Sequence, residues 1–367
     1  MTIIVTGVGI TDLRCTTVVS ANTTQGAGFI GSHLVQCLLN EGEKVVVIDS
    51  LWTGSIENVA RFQNHPNYSF LSWDVRDPLP ITETPKQIYH LACPASPDHF
   101  EKSPIDVLET CFQGTKNIMD LATGCGARVL IASTSEIYGD PKVIPQSEKY
   151  WGNTNSYGPR SCYDEGKRIT EALAYGYQRK HNLQVRIARI FNAYGPSMQL
   201  RDGRAVPNFI AAAMQGRPIS VYGDGSATRC FQYVADCVEG LVLLMNSDYT
   251  RPVNLGSDME TSVGDIAQMI VELVAAKTGT AAKTAIQHLP AREDDPYRRK
   301  PDIGLAKEAL GWQPRMALRS GLEVTVDWFL AQAKKQKDEV DSQITMAKMP
   351  AQIFGGLVGD ATKEIAV

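Results

Sequence analysis

Tyr163 and Lys167 are the residues whose types and spacing best suit acid–base chemistry. They are four positions apart, so a helix would place both side chains on one face, one turn apart. Because a neighbouring ammonium favours the phenolate, we expect Lys167 to lower the pKa of Tyr163, so that the phenol transfers a proton near neutral pH. Such a pair also occurs by chance on solvated helices, so its context decides its meaning.

The context includes a glycine-rich turn with the spacing of a dinucleotide site. Residues 2–6 predict a buried strand and residues 29–40 an amphipathic helix, and between them Gly26, Gly28 and Gly31 form the pattern Gly-x-Gly-x-x-Gly. Glycines there let the backbone approach a pyrophosphate at the helix N-terminus, where free N–H groups favour anions.

Asp49 ends the next predicted strand, 44–49, about 20 residues after the turn, where an acid on the adenosine ribose is expected. A carboxylate repels a 2′-phosphate, which favours NAD over NADP. The predicted NAD contacts are Gly7, Gly26, Gly28, Phe29, Ile30, Gly31, Asp49, Asp74, Leu91, Tyr163 and Lys167.

Residues 8–25 separate the first strand from the turn, and they show neither helical nor alternating periodicity. A tight turn does not easily hold so long a loop. One interpretation is a lid or regulatory loop. The other interpretation is a retained intron, because the codons of Val8 and Gln25 can match the two ends of an intron and the insert preserves the reading frame. Sequencing of cDNA tests this, and transcripts that uniformly keep these codons would contradict it.

Strands and helices alternate through the first half of the chain. The further predicted elements are strands at 69–72, 87–92, 128–133 and 184–189 and helices at 104–124 and 157–180. This alternation predicts an α/β fold with a Rossmann-like, doubly wound parallel sheet. Ligands of such sheets bind beyond the carboxyl ends of the strands, which places Thr134, Ser135 and Glu136 at the site.

From about residue 197 the predicted helices and strands become shorter and alternate with polar loops. We predict an NAD-binding domain at 1–196, a smaller substrate-binding region at 197–335 with segments that return to the first domain, and a loosely ordered tail at 336–367. In the second region Arg204 and Arg229 suit phosphate recognition, although either could be an ordinary surface arginine.

Composition excludes several classes of protein. The 367 residues carry a net charge of −4, with no long basic run, which argues against nucleic-acid binding. No apolar run reaches membrane-spanning length, and no signal peptide is visible. The eight cysteines lack metal-ligand spacing and predict reduced thiols in a cytoplasmic protein with no metal.

Six stretches together resemble one enzyme family. They are 90–97 (HLACPASP), 133–140 (STSEIYGD), 150–153 (YWGN), 160–168 (RSCYDEGKR), 186–192 (RIARIFN) and 295–302 (DPYRRKPD). The resemblance is to the UDP-glucuronate decarboxylases, which are extended short-chain dehydrogenase/reductases, and it covers roughly residues 1–7 and 26–333. It implies NAD-dependent conversion of a UDP-sugar acid into UDP-xylose and carbon dioxide through a 4-keto intermediate.

The resemblance also implies roles for individual residues. Tyr163 takes the proton of the sugar C4 hydroxyl, Lys167 assists it, and Thr134 hydrogen-bonds that hydroxyl. Ser135 and Glu136 face the C5–C6 end of the sugar. Arg299 contacts the carboxylate, and the substrate-binding residues are Asn192, Arg204, Tyr222, Arg229 and Arg299. The family implies a homodimer through helices 104–124 and 157–180.

Two alternatives remain at this stage. One is a nucleotide-sugar 4,6-dehydratase or 4-epimerase; dehydratases have an acidic Asp where this chain has Ser135. The other is an inactive homologue, with its pyrophosphate loop split by the insert, that serves as a dimer partner. The chain also departs from the resembled family at Phe100 (usually Tyr), Cys111 (usually Asn) and Ala227 (usually Gln).

Overall fold

The protein is described by a computed structural model over residues 2–6, 26–80, 84–200, 203–279 and 284–347. Gly7, the insert 8–25 and residues 348–367 lie outside these ranges, so the expectations about them are not examined by the structure.

The strands are β1 (Thr2–Thr6), β2 (Lys44–Asp49), β3 (Tyr68–Ser72), β4 (Gln87–His90), β5 (Arg128–Thr134), β6 (Val185–Ile190), β7 (Ala193–Tyr194), β8 (Ile219–Tyr222), β9 (Thr228–Cys230), β10 (Gln232–Tyr233), β11 (Pro252–Leu255), β12 (Glu260–Ser262), β13 (Ile286–Leu289) and β14 (Arg298–Arg299). The α-helices are α1 (Phe29–Asn40), α2 (Pro97–Lys102), α3 (Pro104–Glu109), α4 (Thr115–Cys125), α5 (Ser161–His181), α6 (Ala205–Met214), α7 (Val234–Asn246), α8 (Val263–Thr278), α9 (Gly304–Leu310) and α10 (Leu318–Ala347).

Seven strands form one parallel sheet in the order β3-β2-β1-β4-β5-β6-β11. Its central strands, such as β2 and β5, are runs of mostly β-branched and aliphatic residues that are buried along most of their length, as strands covered by helices on both faces require. The Rossmann-like fold predicted from the sequence is therefore confirmed. The last strand, β11, comes from the C-terminal half of the chain and pairs with β6.

Helix α1 has the bounds predicted for it, whereas two other helices differ. The predicted helix 104–124 is α3 and α4 joined by a π-helical turn at Thr110–Gly114, a local widening that often marks functional sites. Helix α5 begins at Ser161 rather than 157, because residues 157–160 form turns before it.

The chain divides into two compact units, Met1–Val326 and Asp327–Val367. The described part of the second unit is the continuation of α10 to Ala347. Twelve residues of the predicted tail, 336–347, are thus helical. No helix within the described ranges is both long and apolar enough to cross a membrane.

Candidate functional site

The glycine turn packs closely on the sheet while leaving space in front of α1. A Cβ atom at Gly26 would lie 2.6 Å from Val35 Cγ2 and 3.3 Å from Val5 Cγ1, and one at Gly31 would lie 2.9 Å from Gly26 Cα. A Cβ at Gly28 would meet no atom within 4 Å, and no side chain caps the first turn of α1 there. Among the described residues, the first turn thus has N–H groups without a side-chain cap beside open space, which fits a pyrophosphate.

The two kinds of glycine predict different variants. Gly28→Ala is expected to weaken NAD binding by about tenfold or more, with little change in the melting temperature. The reason is that the added Cβ contacts no described protein atom within 4 Å and projects into the space expected for the pyrophosphate. Gly31→Ala is expected to lower the melting temperature as well, because its Cβ meets the backbone of Gly26. Titration calorimetry and thermal unfolding of both variants check this, and equal NAD affinity of Gly28→Ala and the wild type would contradict it.

The predicted adenosine-binding acids occupy neighbouring strand ends. Asp49 is the last residue of β2 and is 1% exposed, and its Oδ1 accepts a hydrogen bond of 2.8 Å from the backbone N–H of Leu51. Burial raises the pKa of Asp49 well above its ordinary value. Asp74 follows β3 and is already paired with Arg76 at 2.9 Å. A carboxylate accepts about four hydrogen bonds, so Asp49 retains capacity for a ligand, whereas both oxygens of Asp74 already accept hydrogen bonds from Arg76. The other predicted contacts, Phe29, Ile30 and Leu91, begin α1 or directly follow β4.

Tyr163 and Lys167 lie in the first two turns of α5 and are both buried. The Tyr163 ring stacks on Phe100 with the ring centroids 4.7 Å apart. The Lys167 ammonium donates a 2.8 Å hydrogen bond to the carbonyl of Ala132 in β5 and lies 5.9 Å from the centre of the Tyr163 ring. The pair therefore shares one helix face next to the end of β5, as the spacing predicts.

The expected lowering of the Tyr163 pKa is wrong for the protein side chains alone. Burial raises this pKa well above its ordinary value, Cys93 and Glu136 raise it further, and a hydrogen bond with Thr134 acts in the opposite direction. The ammonium of Lys167 is engaged with Ala132. The sequence argument considered the spacing of the pair and omitted the cost of burying a phenolate.

Beyond β5, Glu136 is the centre of a cluster of charged residues. Arg299 donates hydrogen bonds from Nη1 to Glu136 Oε1, from Nη2 to Oε2 at 2.8 Å, and from Nη1 to Ser135 Oγ at 3.3 Å. Arg160, just before α5, donates to Glu136 Oε2 at 2.6 Å. Burial would raise the pKa of Glu136, but the charges of Arg299 and Arg160 outweigh it and hold that pKa well below its usual range.

Arg160 belongs to the motif that precedes Tyr163, yet no role was predicted for it. Its position three residues before Tyr163 is the feature of the sequence from which a role at the site could have been predicted. Thr134 is also part of this strand end, and its Oγ1 accepts a 3.2 Å bond from the N–H of Glu136. It therefore caps the short 3₁₀ helix Ser135–Tyr138, the structural role that such a strand end often has.

Asp164, next to Tyr163, gives this cluster a pH-dependent stability. Burial and the charge of Glu136 raise its pKa from 3.8 to about 7, against the opposing effects of Arg160 and Arg299. The folded state therefore binds this proton more tightly than the unfolded chain, so the stabilisation is complete below about pH 4 and is lost as pH rises through about 7.

We expect Asp164→Asn to remove that dependence. The free energy of unfolding of the wild type, relative to the variant, should fall between pH 4 and pH 7. Urea unfolding at several pH values in this range measures the difference, and parallel profiles of the two proteins would contradict the prediction. Glu136, whose pKa is lowered, affects stability only at more acidic pH.

The predicted substrate-binding residues lie on several elements. Arg229 of β9 pairs with Arg299 of β14 in register, and its Nη2 donates to Asp295 at 3.0 Å. Asn192 follows β6, and its side-chain nitrogen is buried with no hydrogen-bond partner among the described residues, as expected of a group that binds a ligand. No group of three or more His, Cys, Asp or Glu in the described ranges is placed to hold a metal ion.

Arg204 and Tyr222, the two remaining predicted substrate-binding residues, contact side chains of other segments. Arg204 immediately precedes α6, with its guanidinium carbon 5.7 Å from the ring centre of Phe29 at the start of α1, near the glycine turn. Tyr222 ends β8 and is 39% exposed, and the guanidinium of Arg292 covers its ring at 4.0 Å. Arg292 was not predicted, since nothing in its local sequence indicates this partner.

Comparison with known proteins gives consistent results. The family model described as GDP-mannose 4,6 dehydratase matches residues 24–325. A UDP-glucuronic acid decarboxylase 1 from Danio rerio is 49% identical over 313 residues, which are 85% of this chain and 73% of that protein. A UDP-glucose 4-epimerase structure with UDP-glucose from Thermotoga maritima has a TM-score of 0.79 at 27% identity, over 91% of this chain and 100% of that chain. A dTDP-glucose 4,6-dehydratase structure with bound NAD from Streptomyces venezuelae has a TM-score of 0.77 at 26% identity, over 90% and 97%.

Proposed function

We propose that this chain, which belongs to the UDP-glucuronic acid decarboxylases among the extended short-chain dehydrogenase/reductases, converts UDP-glucuronate into UDP-xylose and carbon dioxide with NAD. The observation that carries the proposal is the convergence of Ser135, Glu136 and Arg299 beside the Tyr163–Lys167 pair. A cationic group next to a proton-transferring phenol suits a sugar acid that is oxidised at C4 and loses its C6 carboxylate.

NAD would be held by the glycine turn and by Asp49, whose geometry fits its pyrophosphate and ribose. When bound, NAD supplies the hydride acceptor for C4 and is restored within each turnover. The protein's own part is to orient this cofactor and to exclude water from the buried floor formed by β4 and β5.

Tyr163 accepts the proton of the C4 hydroxyl, and Thr134 orients that hydroxyl. Burial raises the pKa of Tyr163 in the free protein, so the phenol must release its own proton to solvent before it can accept the proton of the C4 hydroxyl. A positive charge brought close to the ring favours the phenolate. Lys167 is held by the Ala132 carbonyl with its ammonium 5.9 Å from the centre of the Tyr163 ring, so it adds a fixed positive charge near the phenol.

Arg299 and Ser135 bind the C6 carboxylate of the sugar. A 4-keto group lies β to that carboxylate, so loss of carbon dioxide leaves an enolate instead of a localised carbanion. Arg299 and Arg160 share the carboxylate of Glu136, and Asp164, 3.9 Å from Arg160, is mostly protonated below about pH 7. Below that pH the cluster therefore has one positive charge in excess for a second carboxylate. Such a charge stabilises the anion more strongly in a buried site than in water.

Incubation with UDP-glucuronate and NAD tests the activity. Carbon dioxide and UDP-xylose, with no net accumulation of NADH, are the expected products. A 4-keto-6-deoxy sugar formed from another nucleotide sugar would indicate a dehydratase, and no product at all would indicate an inactive homologue. Either result would contradict the proposal.

A homodimer and a cytoplasmic location complete the proposal. Apolar side chains on the surfaces of α3, the π-helical turn and α5 are exposed, among them Ile105 (64%), Phe112 (43%) and Ile169 (39%). Apolar area of this kind on two adjacent helices favours burial against a second copy. The seven described cysteines are free thiols, which supports a reducing compartment.

The dimer is tested by placing charge on this surface. Phe112→Glu combined with Ile169→Glu is expected to give a monomer in light scattering, because two buried carboxylates per subunit would lack partners. Leu243→Glu, at a 36% exposed position on α7, is the matched control and should leave the oligomeric state unchanged. A dimer that survives the double substitution would contradict this interface.

A further inference from the structure

We propose that Cys93 and Cys111 form a reversible disulfide that lowers the activity of this enzyme under oxidising conditions. Their Sγ atoms are 3.2 Å apart and share a hydrogen bond. Cys93 lies in the loop after β4, and Cys111 lies in the π-helical turn between α3 and α4. Two thiols from different elements are thus already in contact beside the active site.

The two thiols differ in a way that suits such a reaction. Cys93 is partly accessible to solvent, whereas Cys111 is buried. Burial alone would raise the pKa of Cys93, but the hydrogen bond with Cys111 and the charge of Lys167 outweigh it and lower that pKa. The hydrogen bond with Cys93, together with burial, raises the pKa of Cys111. Cys93 is therefore the thiolate that an oxidant reaches first, and Cys111 is the resolving thiol.

The oxidant is a hydroperoxide, and the step balances with it. The Cys93 thiolate attacks one peroxide oxygen, the O–O bond breaks, and a sulfenic acid forms with release of water or an alcohol. The sulfur of Cys111 then attacks the sulfur of Cys93, expels water and closes the S–S bond. The two thiols lose two protons and two electrons, and the two peroxide oxygens gain them. A dithiol reverses the step by exchange.

Oxidation would act on the catalytic pair through direct contacts. Cys93 packs against the cluster that contains Phe100 and Tyr163. Cys111 lies against α5, where a Cβ atom at Gly166, adjacent to Lys167, would be 3.0 Å from its Sγ. To bond, the sulfurs must close from 3.2 Å to about 2.05 Å. A displacement of about 1 Å at a reacting centre can cost about a hundredfold in rate, so a loss of about tenfold or more is expected.

The test uses the full-length enzyme with hydrogen peroxide as the oxidant. After treatment, the remaining free thiols are alkylated and the protein is digested with its disulfides left unreduced. The masses of the peptides are then measured by mass spectrometry. The expected result is a peptide pair joined through Cys93 and Cys111, with a parallel loss of turnover of about tenfold or more, both reversed by dithiothreitol. Cys111→Asn should abolish the cross-link and the reversible loss, whereas Cys125→Ser, at a partly accessible thiol elsewhere, should retain both.

Several outcomes would overturn the proposal. Alkylation of both thiols after peroxide treatment would show that no bond forms, and irreversible oxidation of Cys93 alone would show that Cys111 does not resolve it. A cross-linked enzyme with full activity would contradict the regulatory effect. The cross-link is measured by mass and does not depend on turnover of UDP-glucuronate, so its failure is distinguishable from failure of the proposed activity.

Discussion

Replacing Tyr163 by Phe is expected to lower turnover of UDP-glucuronate by about 10³-fold while the fold and NAD binding persist. The substitution keeps the ring that stacks on Phe100 at 4.7 Å and removes only the hydroxyl. Since the hydroxyl is the group that would take the C4 proton, the loss should appear in kcat. The variant and the wild type are compared in turnover by chromatographic measurement of UDP-xylose, in NAD affinity by titration, and in stability by thermal unfolding.

Tyr175→Phe is the matched control. It removes the same atom from the same helix, but at a position that is 65% exposed, and it should leave turnover unchanged. A Tyr163→Phe rate within about tenfold of the wild-type rate would contradict the proton-transfer role, because positioned acid–base groups contribute about 10²–10⁴-fold.

Arg299→Met is expected to abolish decarboxylation and to destabilise the protein. Arg299 is 2% exposed and holds Glu136 with two of its nitrogens. Its removal leaves the Glu136 carboxylate buried with Arg160 as its remaining cationic partner. Breaking a buried pair on one side typically costs about 3–5 kcal/mol. Denaturant unfolding measures the free energy, and product analysis measures the activity.

Two further variants separate stability from chemistry. Arg298→Met changes the neighbouring residue, which pairs with Glu260 at the surface, and should affect neither property. The double variant Glu136→Gln with Arg299→Met also removes the carboxylate that lost one of its two cationic partners, and Asp164 remains 3.9 Å from Arg160 as its counter-ion. It should recover part of the stability but none of the activity. An Arg299→Met protein that is as stable as the wild type, or that still releases carbon dioxide at the wild-type rate, would refute the assignment.

Local patterns in the sequence were sufficient for the elements that hold the site. The bounds of α1 and β2 agree with those predicted, because a helical period and a β-branched run are properties of a few adjacent residues. The Tyr163–Lys167 pair shares a helix face for the same reason. Gly28 lies beside open space among the described residues, as the glycine pattern predicts, and the family indicated by the resemblance to the decarboxylases is confirmed by the similar proteins.

Only the tertiary structure decided how distant residues meet and what burial does to them. Arg299 reaches Glu136 across 163 positions, and Cys93 meets Cys111 through a π-helical turn that no local pattern predicted. The sign of the Tyr163 pKa shift also reversed, because desolvation depends on every element that covers the ring. Spacing along the chain determines which side chains share a face, whereas the packing of the sheet and its helices determines their charge, their partners and therefore their chemistry.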